Sequence, residues 1–163
     1  MHSSNVIEEN VKGVTTNSIK GYFNIIHSGV ILGKNTTVGN YCEIGKNTII
    51  GDNCIFQSGV RTGNNVTIYD NITIKFGSSL TEGMIIHSDT FVGPSVIFLG
   101  SNHKRQTSLN NTIIGKNCYI SAGVKVMPGI QIHDNIIIGA NSFVNKNIEE
   151  PGVYVGNPCK KIK

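Results

Sequence analysis

Apolar residues recur along this chain every six positions. From Ile26 the step lands on Leu32, Val38, Ile44, Ile50, Phe56, Thr62, Ile68, Ile74, Leu80, Ile86, Val92 and Phe98, and only Thr62 breaks the apolar series. After one interruption the same step gives Ile114, Ile120, Val126, Ile132, Ile138 and Val144. Two residues before an anchor sits a small or β-branched residue, such as Val30, Thr36, Cys42, Thr48 or Cys54. Three residues after an anchor sits Gly, Asn or Asp, with Tyr41 and Ser95 as exceptions. Gly accepts positive φ without penalty, and Asn and Asp accept it better than other side chains. An amphipathic helix needs a period of 3.6 and a half-buried strand a period of two. A period of six instead predicts short extended stretches that turn a corner at fixed intervals and stack into a solenoid with a continuous core. The fold class expected is all-β.

The unit resembles the hexapeptide repeat, [LIV]-G-x-x-x-x, of the left-handed parallel β-helix. That resemblance implies three hexads per triangular coil and a left-handed wind. The nineteen anchors then give about six coils. The chain divides on this reading into an N-terminal cap or flexible lead over 1–22, a β-helix domain over 23–148, and a closing segment over 149–163.

Composition changes the picture only in places. Charged residues are 15% of 163, against 19 Gly and 20 Asn, a profile poor for helix and rich in turns. The net charge of +4 comes with no long basic run interleaved with aromatics, so no nucleic-acid partner is expected. No run of eighteen apolar residues and no signal peptide is read, so no membrane span is expected and a cytoplasmic location is. Cys42, Cys54 and Cys118 fall on the small core position and read as packing residues.

The interruption is the stretch FLGSNHKRQTSLNN, which opens on Phe98. Phe98 and Ile114 are sixteen residues apart, so four or ten residues are inserted and a loop leaves the prism near 99–111. Loops on rigid scaffolds are where function concentrates. Hexapeptide-repeat acyltransferases carry such a loop with a catalytic histidine at its root. The resemblance therefore implies His103 as general base and Asn102 as the residue that orients it or the acceptor. Lys104 and Arg105 are read as contacts to an acceptor phosphate, with Glu82 and His87 as further acceptor contacts.

The tail carries a second likeness. Gly139, Ala140, Ser142, Val144, Lys146, Pro151, Gly156, Asn157, Pro158, Lys160 and Ile162 match the closing signature of the same family, with Asn141 and Cys159 as departures. In that family this end contacts coenzyme A, which implicates Ala122, Gly123, Gly139, Ala140, Lys146, Pro158, Lys160 and Lys161. A backbone amide near Gly123 is expected to stabilise the oxyanion. A third likeness, over residues 79–98, is to N-acetyltransferases of nucleotide-linked amino sugars. It rests on Gly83, Asp89, Phe91, Val92, Gly93, Pro94 and Phe98. The chain then departs from that pattern at Leu99-Gly100-Ser101-Asn102-His103 and comes closer to sugar O-acetyltransferases and antibiotic acetyltransferases.

Together these imply acetyl transfer from acetyl-CoA to a sugar acceptor, foremost the amino group of a nucleotide-linked amino sugar, by a homotrimer with shared sites. The alternatives are O-acetylation of a saccharide hydroxyl or an antibiotic, and a structural β-helix subunit without activity. A zinc version of the repeat needs three clustered histidines, and His87 and His103 have no evident third partner, so no metal is expected.

Overall fold

A computed structural model describes residues 4–15, 17–100 and 111–163. The chain winds into a three-sided parallel β-helix, the architecture expected from the repeat. The first face stacks Val6–Ile7, Ile25–Ile26, Glu43–Ile44, Arg61–Thr62, Ser79–Leu80, Ile97–Phe98, Lys125–Val126 and Phe143–Val144. The second face stacks Ile31–Leu32, Ile49–Ile50, Thr67–Ile68, Ile85–Ile86, Ile113–Ile114 and Gln131–Ile132. The third runs from Thr37–Val38 through Ile55–Phe56, Thr73–Ile74, Phe91–Val92, Tyr119–Ile120 and Ile136–Ile138 to Gly152–Val155 and Lys160–Lys161. Below, the first corner joins first to second face, the second corner second to third, and the third corner third back to first. None of the described residues forms a helix long and apolar enough to cross a membrane.

The second residue of each two-residue strand is the hexad anchor, and it points inward. Ile26, Ile44, Ile74, Ile86, Ile120, Val126 and Ile138 are fully buried. The position two before each anchor is buried too, and its small size has a second use. Thr36 donates its hydroxyl to Gly51 O at 2.7 Å and accepts from Cys54 N at 3.0 Å, tying two coils together. Thr90 does the same with Gly115 O and Cys118 N. Burial raises the thiol pKa of Cys42, Cys54 and Cys118, as expected for packing residues.

The corners turn through positive φ at the position three after each anchor, at Asn35 (57°), Asn53 (56°) and Asp89 (63°) among others. Tyr41 and Ser95 adopt it as well, both at 56°, so the lattice imposes the turn even where the side chain opposes it. Asn has an advantage over Gly here. Along the second corner Asn35, Asn53, Asn71 and Asp89 form a ladder of side-chain hydrogen bonds at 3.0 to 3.2 Å.

The coil count is larger than the six expected. The first face holds eight strands. The first coil is built from the irregular N-terminal segment, whose Val6–Ile7 pairs in parallel with Ile25–Ile26. Single bridges join Lys12 to Ile31 and Ile19 to Val38. Backbone pairing fixes this coil, so it needs no hexad spacing to be seen in the sequence. At the other end Gly152–Val155 adds to the third face, and Lys160–Lys161 folds back antiparallel upon it.

Candidate functional site

The interruption lies wholly in the first corner. Ile113–Ile114 pairs with Ile85–Ile86 in the ordinary register, so the lattice resumes at the very next face. An ordinary step is six residues and this one is sixteen, so ten are inserted, the larger of the two sizes open from the sequence. Asn102, His103, Lys104 and Arg105 lie within 101–110, outside the described residues.

The roots of the loop frame a cavity of about 500 Å³, whose lining includes Asn65, Thr81, Glu82, Leu99, Asn111 and Pro128. Two glycines make the space. A Cβ on Gly83 would stand 2.7 Å from Asn111 Oδ1, and one on Gly100 would stand 2.8 Å from Thr81 Oγ1. Thr112 accepts from Gly129 N at 3.0 Å and closes the floor. Glu82 is exposed at the rim, and among the described residues it is the one carboxylate in the lining. His87 is not in that lining. It sits on the second corner, its ring stacked on Tyr69 at 4.9 Å. Sequence reasoning missed Asn65 and Asn111; both occupy first-corner positions that stack with Gly83, which the coil arithmetic could have shown.

The third corner carries the other candidates. A capping rule recurs among residues two after an anchor. At several of these positions the backbone N–H donates to a side chain eighteen residues later, as Tyr22 does to Asn40 (2.9 Å), Lys34 to Asp52 (2.7 Å), Lys46 to Asn64 (2.9 Å) and Lys116 to Asp134 (2.7 Å), whereas Ser28 N uses Glu8 Oε2 and Asn64 N has no partner among the described residues. Ala122 and Ala140 occupy this same position. The residue that should cap Ala122 is Ala140, which has no acceptor side chain. Among the described residues neither Ala122 N–H nor Ala140 N–H has a hydrogen-bond partner. The neighbouring amides are engaged: Gly123 N donates to Pro94 O at 2.9 Å, and Gly139 N to Tyr154 O at 2.8 Å. Near Gly123, the free donor is therefore Ala122. Gly123 turns at a φ of 68°, where a Cβ would also lie 2.3 Å from Asn141 Oδ1, and a Cβ on Gly139 would lie 2.6 Å from Val155 Cγ1 and displace that side chain.

The closing segment packs beside this corner. Cys159 N donates to Phe143 O at 2.9 Å, and Pro158 follows a cis peptide bond and is exposed. Lys161 Nζ pairs with Glu150 Oε2 at 2.9 Å, which raises the lysine pKa and lowers that of the carboxyl. Lys146 and Lys160 are exposed and make no ion pair among the described residues. The first and third corners are the two edges of one face. The loop root and the free amides therefore border the same sheet from opposite sides.

The profile of the family described as bacterial transferase hexapeptide (six repeats) matches residues 29–64 and 111–146. A putative acetyltransferase of Saccharomyces cerevisiae is 32% identical over 111 residues, 62% of this chain and 57% of its own length. The galactoside O-acetyltransferase of Lactococcus lactis is 34% identical over 105 residues, 64% of this chain and 49% of its own. The chain thus spans about half the length of these curated relatives. Among solved structures, a maltose O-acetyltransferase from Clostridium difficile aligns over 98% of this chain and 65% of its own, at 24% identity and a TM-score of 0.44.

Proposed function

We propose that this chain, whose repeat matches the bacterial transferase hexapeptide profile over two stretches, transfers the acetyl group of acetyl-CoA to a sugar, foremost the amino group of a nucleotide-linked amino sugar. The observation that carries this reading is the pair of free corner amides, Ala122 N–H and Ala140 N–H, beside the Gly-Ala pairs. Both residues are exposed, so these amides are open to a ligand as well as to water, and two in register on one corner suit an extended ligand with carbonyl oxygens. The pantetheine arm of coenzyme A has that chemistry. Lys146 and Lys160 are free to meet its phosphates, whereas Lys161 is held by Glu150.

In this reading the sugar lies in the cavity at the loop root. Asn65, Thr81 and Asn111 offer hydrogen bonds to hydroxyls, Leu99 and Pro128 an apolar wall, and Glu82 a partner for the acceptor's amine. His103 removes a proton as the neutral amine attacks the thioester carbon, and Asn102 holds the geometry. Ala122 N–H receives the developing oxyanion. The C–S bond then breaks, and the thiolate leaves with the proton that His103 took. Lys104 and Arg105 stand on the same loop for an acceptor phosphate, and His87 has the lesser part.

We infer a homotrimer, which the placement of the two proposed half-sites supports. They stand at opposite edges of one face, and a three-fold arrangement brings the first corner of one copy against the third corner of the next. O-acetylation of a saccharide hydroxyl is the second reading, favoured by the likeness to the galactoside O-acetyltransferase. His103→Ala tests the reading. Turnover should fall about 10²- to 10⁴-fold, the range for a lost general base, with acetyl-CoA affinity unchanged. Turnover within a few-fold of the parent would exclude His103 as the base, and no acetyl-CoA binding at millimolar concentration would sink the transferase reading altogether.

A further inference from the structure

A second hollow lies on the third corner, N-terminal to the free amides of Ala122 and Ala140. Its volume is about 370 Å³, and its lining includes Lys20, Thr37, Gly39, Gln57, Ser58 and Phe76. Three features set it apart from an ordinary stretch of the prism.

The first is a set of unused donors. Ser58 and Phe76 occupy the corner position whose N–H is capped elsewhere by a side chain eighteen residues on. For Ser58 that residue is Phe76 and for Phe76 it is Pro94, and neither can accept. Their amides have no partner among the described residues, nor do the Gln57 side-chain amide, the Thr37 hydroxyl or the Lys20 ammonium. Converging backbone N–H groups with a lysine make an anion site. Among the described residues no acidic side chain lines the hollow.

The second is the ring of Phe76, which is 56% exposed and has no stacked partner among the described residues. Most other exposed aromatic side chains on this prism stack in pairs, as Phe23 with Tyr41 at 5.2 Å and Phe91 with Tyr119 at 4.6 Å. A free aromatic face beside an anion site matches a base beside its phosphates.

The third is the floor. A Cβ on Gly39 would stand 2.9 Å from Ser58 N and 3.2 Å from Phe56 O. Any larger residue would fill the space in front of the Ser58 amide.

We propose that this hollow is a nucleotide subsite, which takes the phosphates of a nucleoside diphosphate on Lys20 and the Ser58 and Phe76 amides and its base on the Phe76 ring. That the nucleotide is the carrier of the acceptor sugar rests on the acetyl-transfer reading. Position supports it. Ser58 is three coils from Ala122 along one corner, about 14 Å at the usual strand spacing. The acetyl donor runs from Ala122 toward the C-terminal end. The carrier nucleotide runs the other way, and the sugar lies between them against the loop root of the neighbouring copy.

Isothermal titration calorimetry with UDP and GDP tests the site without requiring turnover. Each should bind the parent protein, and Lys20→Ala and Phe76→Ala should each weaken it tenfold or more. Uridine and inorganic pyrophosphate, which lack one half of the ligand, should bind at least tenfold more weakly than UDP. Lys20 and Phe76 are both exposed, so neither variant disturbs the core, and unchanged melting confirms this. Acetyl-CoA affinity should stay within twofold in both. The proposal is overturned if neither nucleotide binds at millimolar concentration, or if both variants leave binding unchanged. It is also overturned if coenzyme A displaces UDP competitively, since the hollow then serves the donor's own nucleotide. UDP binding without acetyl-CoA binding would remove the transfer reading and leave the subsite standing; the reverse result would remove the subsite alone.

Discussion

Replacing Ala140 by Asn should make the protein more stable and a poorer binder of acetyl-CoA. The capping rule of the corners supplies both signs. At the equivalent position Asn40 accepts from Tyr22 N at 2.9 Å, Asp70 from Asp52 N at 2.8 Å and Asp134 from Lys116 N at 2.7 Å. Ala140 is exposed, so an Asn fits there, and its Oδ1 should accept from Ala122 N–H in the same way. One added intramolecular hydrogen bond contributes a net ~0.5–1.5 kcal/mol. For a chain of this size that is a rise of roughly 1–6 °C in melting temperature. The same bond occupies the amide that the donor is proposed to use, so the acetyl-CoA Kd should rise by about 2- to 13-fold, the same energy expressed as affinity. Differential scanning fluorimetry and calorimetric titration on one preparation read both quantities. A gain in melting temperature with unchanged Kd would show that Ala122 N–H does not meet the donor. No gain in melting temperature would show that the capping rule does not extend to this corner.

Two further outcomes follow from particular contacts. Thr62 accepts from Gly45 N at 2.9 Å, so Thr62→Val leaves that buried amide without its acceptor and should cost ~1–3 kcal/mol despite equal volume, read as a urea-midpoint shift; a stabilised variant would mean that Gly45 N has moved to the Thr62 carbonyl, as Gly33 N uses Ile50 O. His27 bridges Glu8 at 2.9 Å and Glu43 at 3.3 Å, and holds the first coil to the next two. The hydrogen bond to Glu8, more than that to Glu43, raises the His27 pKa above 6.5, so this contribution is complete below about 6.5 and is lost as pH rises through the raised value. The Glu8 pKa is lowered below 4.5 chiefly by His27 and then by Ser28 N, so its contribution is complete above about 4.5 and is lost as pH falls through the lowered value. Exchange protection of the Val6 and Glu8 amides, corrected for intrinsic rate, should therefore peak between those limits, and His27→Gln should flatten the profile; a profile unchanged in that variant refutes the clamp.

Much of the fold is legible because a solenoid repeats one local decision. Ile26 and every sixth residue after it announce the core. Asn35 and its equivalents announce the corners, since few side chains tolerate their φ. Where the repeat is silent, the sequence underdetermines the structure. The segment before Ile25 shows no hexads, yet Val6–Ile7 forms a strand, because backbone pairing to an existing edge requires no anchor spacing. The insertion could be four or ten residues until the pairing of Ile113 with Ile85 fixed it.

For the candidate site, the chain by itself marked where regularity fails: the loop around His103, the Gly-Ala pairs and the closing lysines. Glu82 and His87 are five residues apart in sequence, but the strand Ile85–Ile86 of the second face separates their corners, and of the two only Glu82 lines the cavity. Lys146, Lys160 and Lys161 look alike in sequence, but Glu150 engages only the last of them. The amides of Ala122 and Ala140 are a different case again. A residue's letter states what its side chain offers, and says nothing of whether its own N–H has found a partner. That depends on the residue stacked one coil away, eighteen positions on in the chain. Period, core and corners are local properties of the sequence, whereas a free donor is a property of two coils in contact, and only the tertiary structure could decide it.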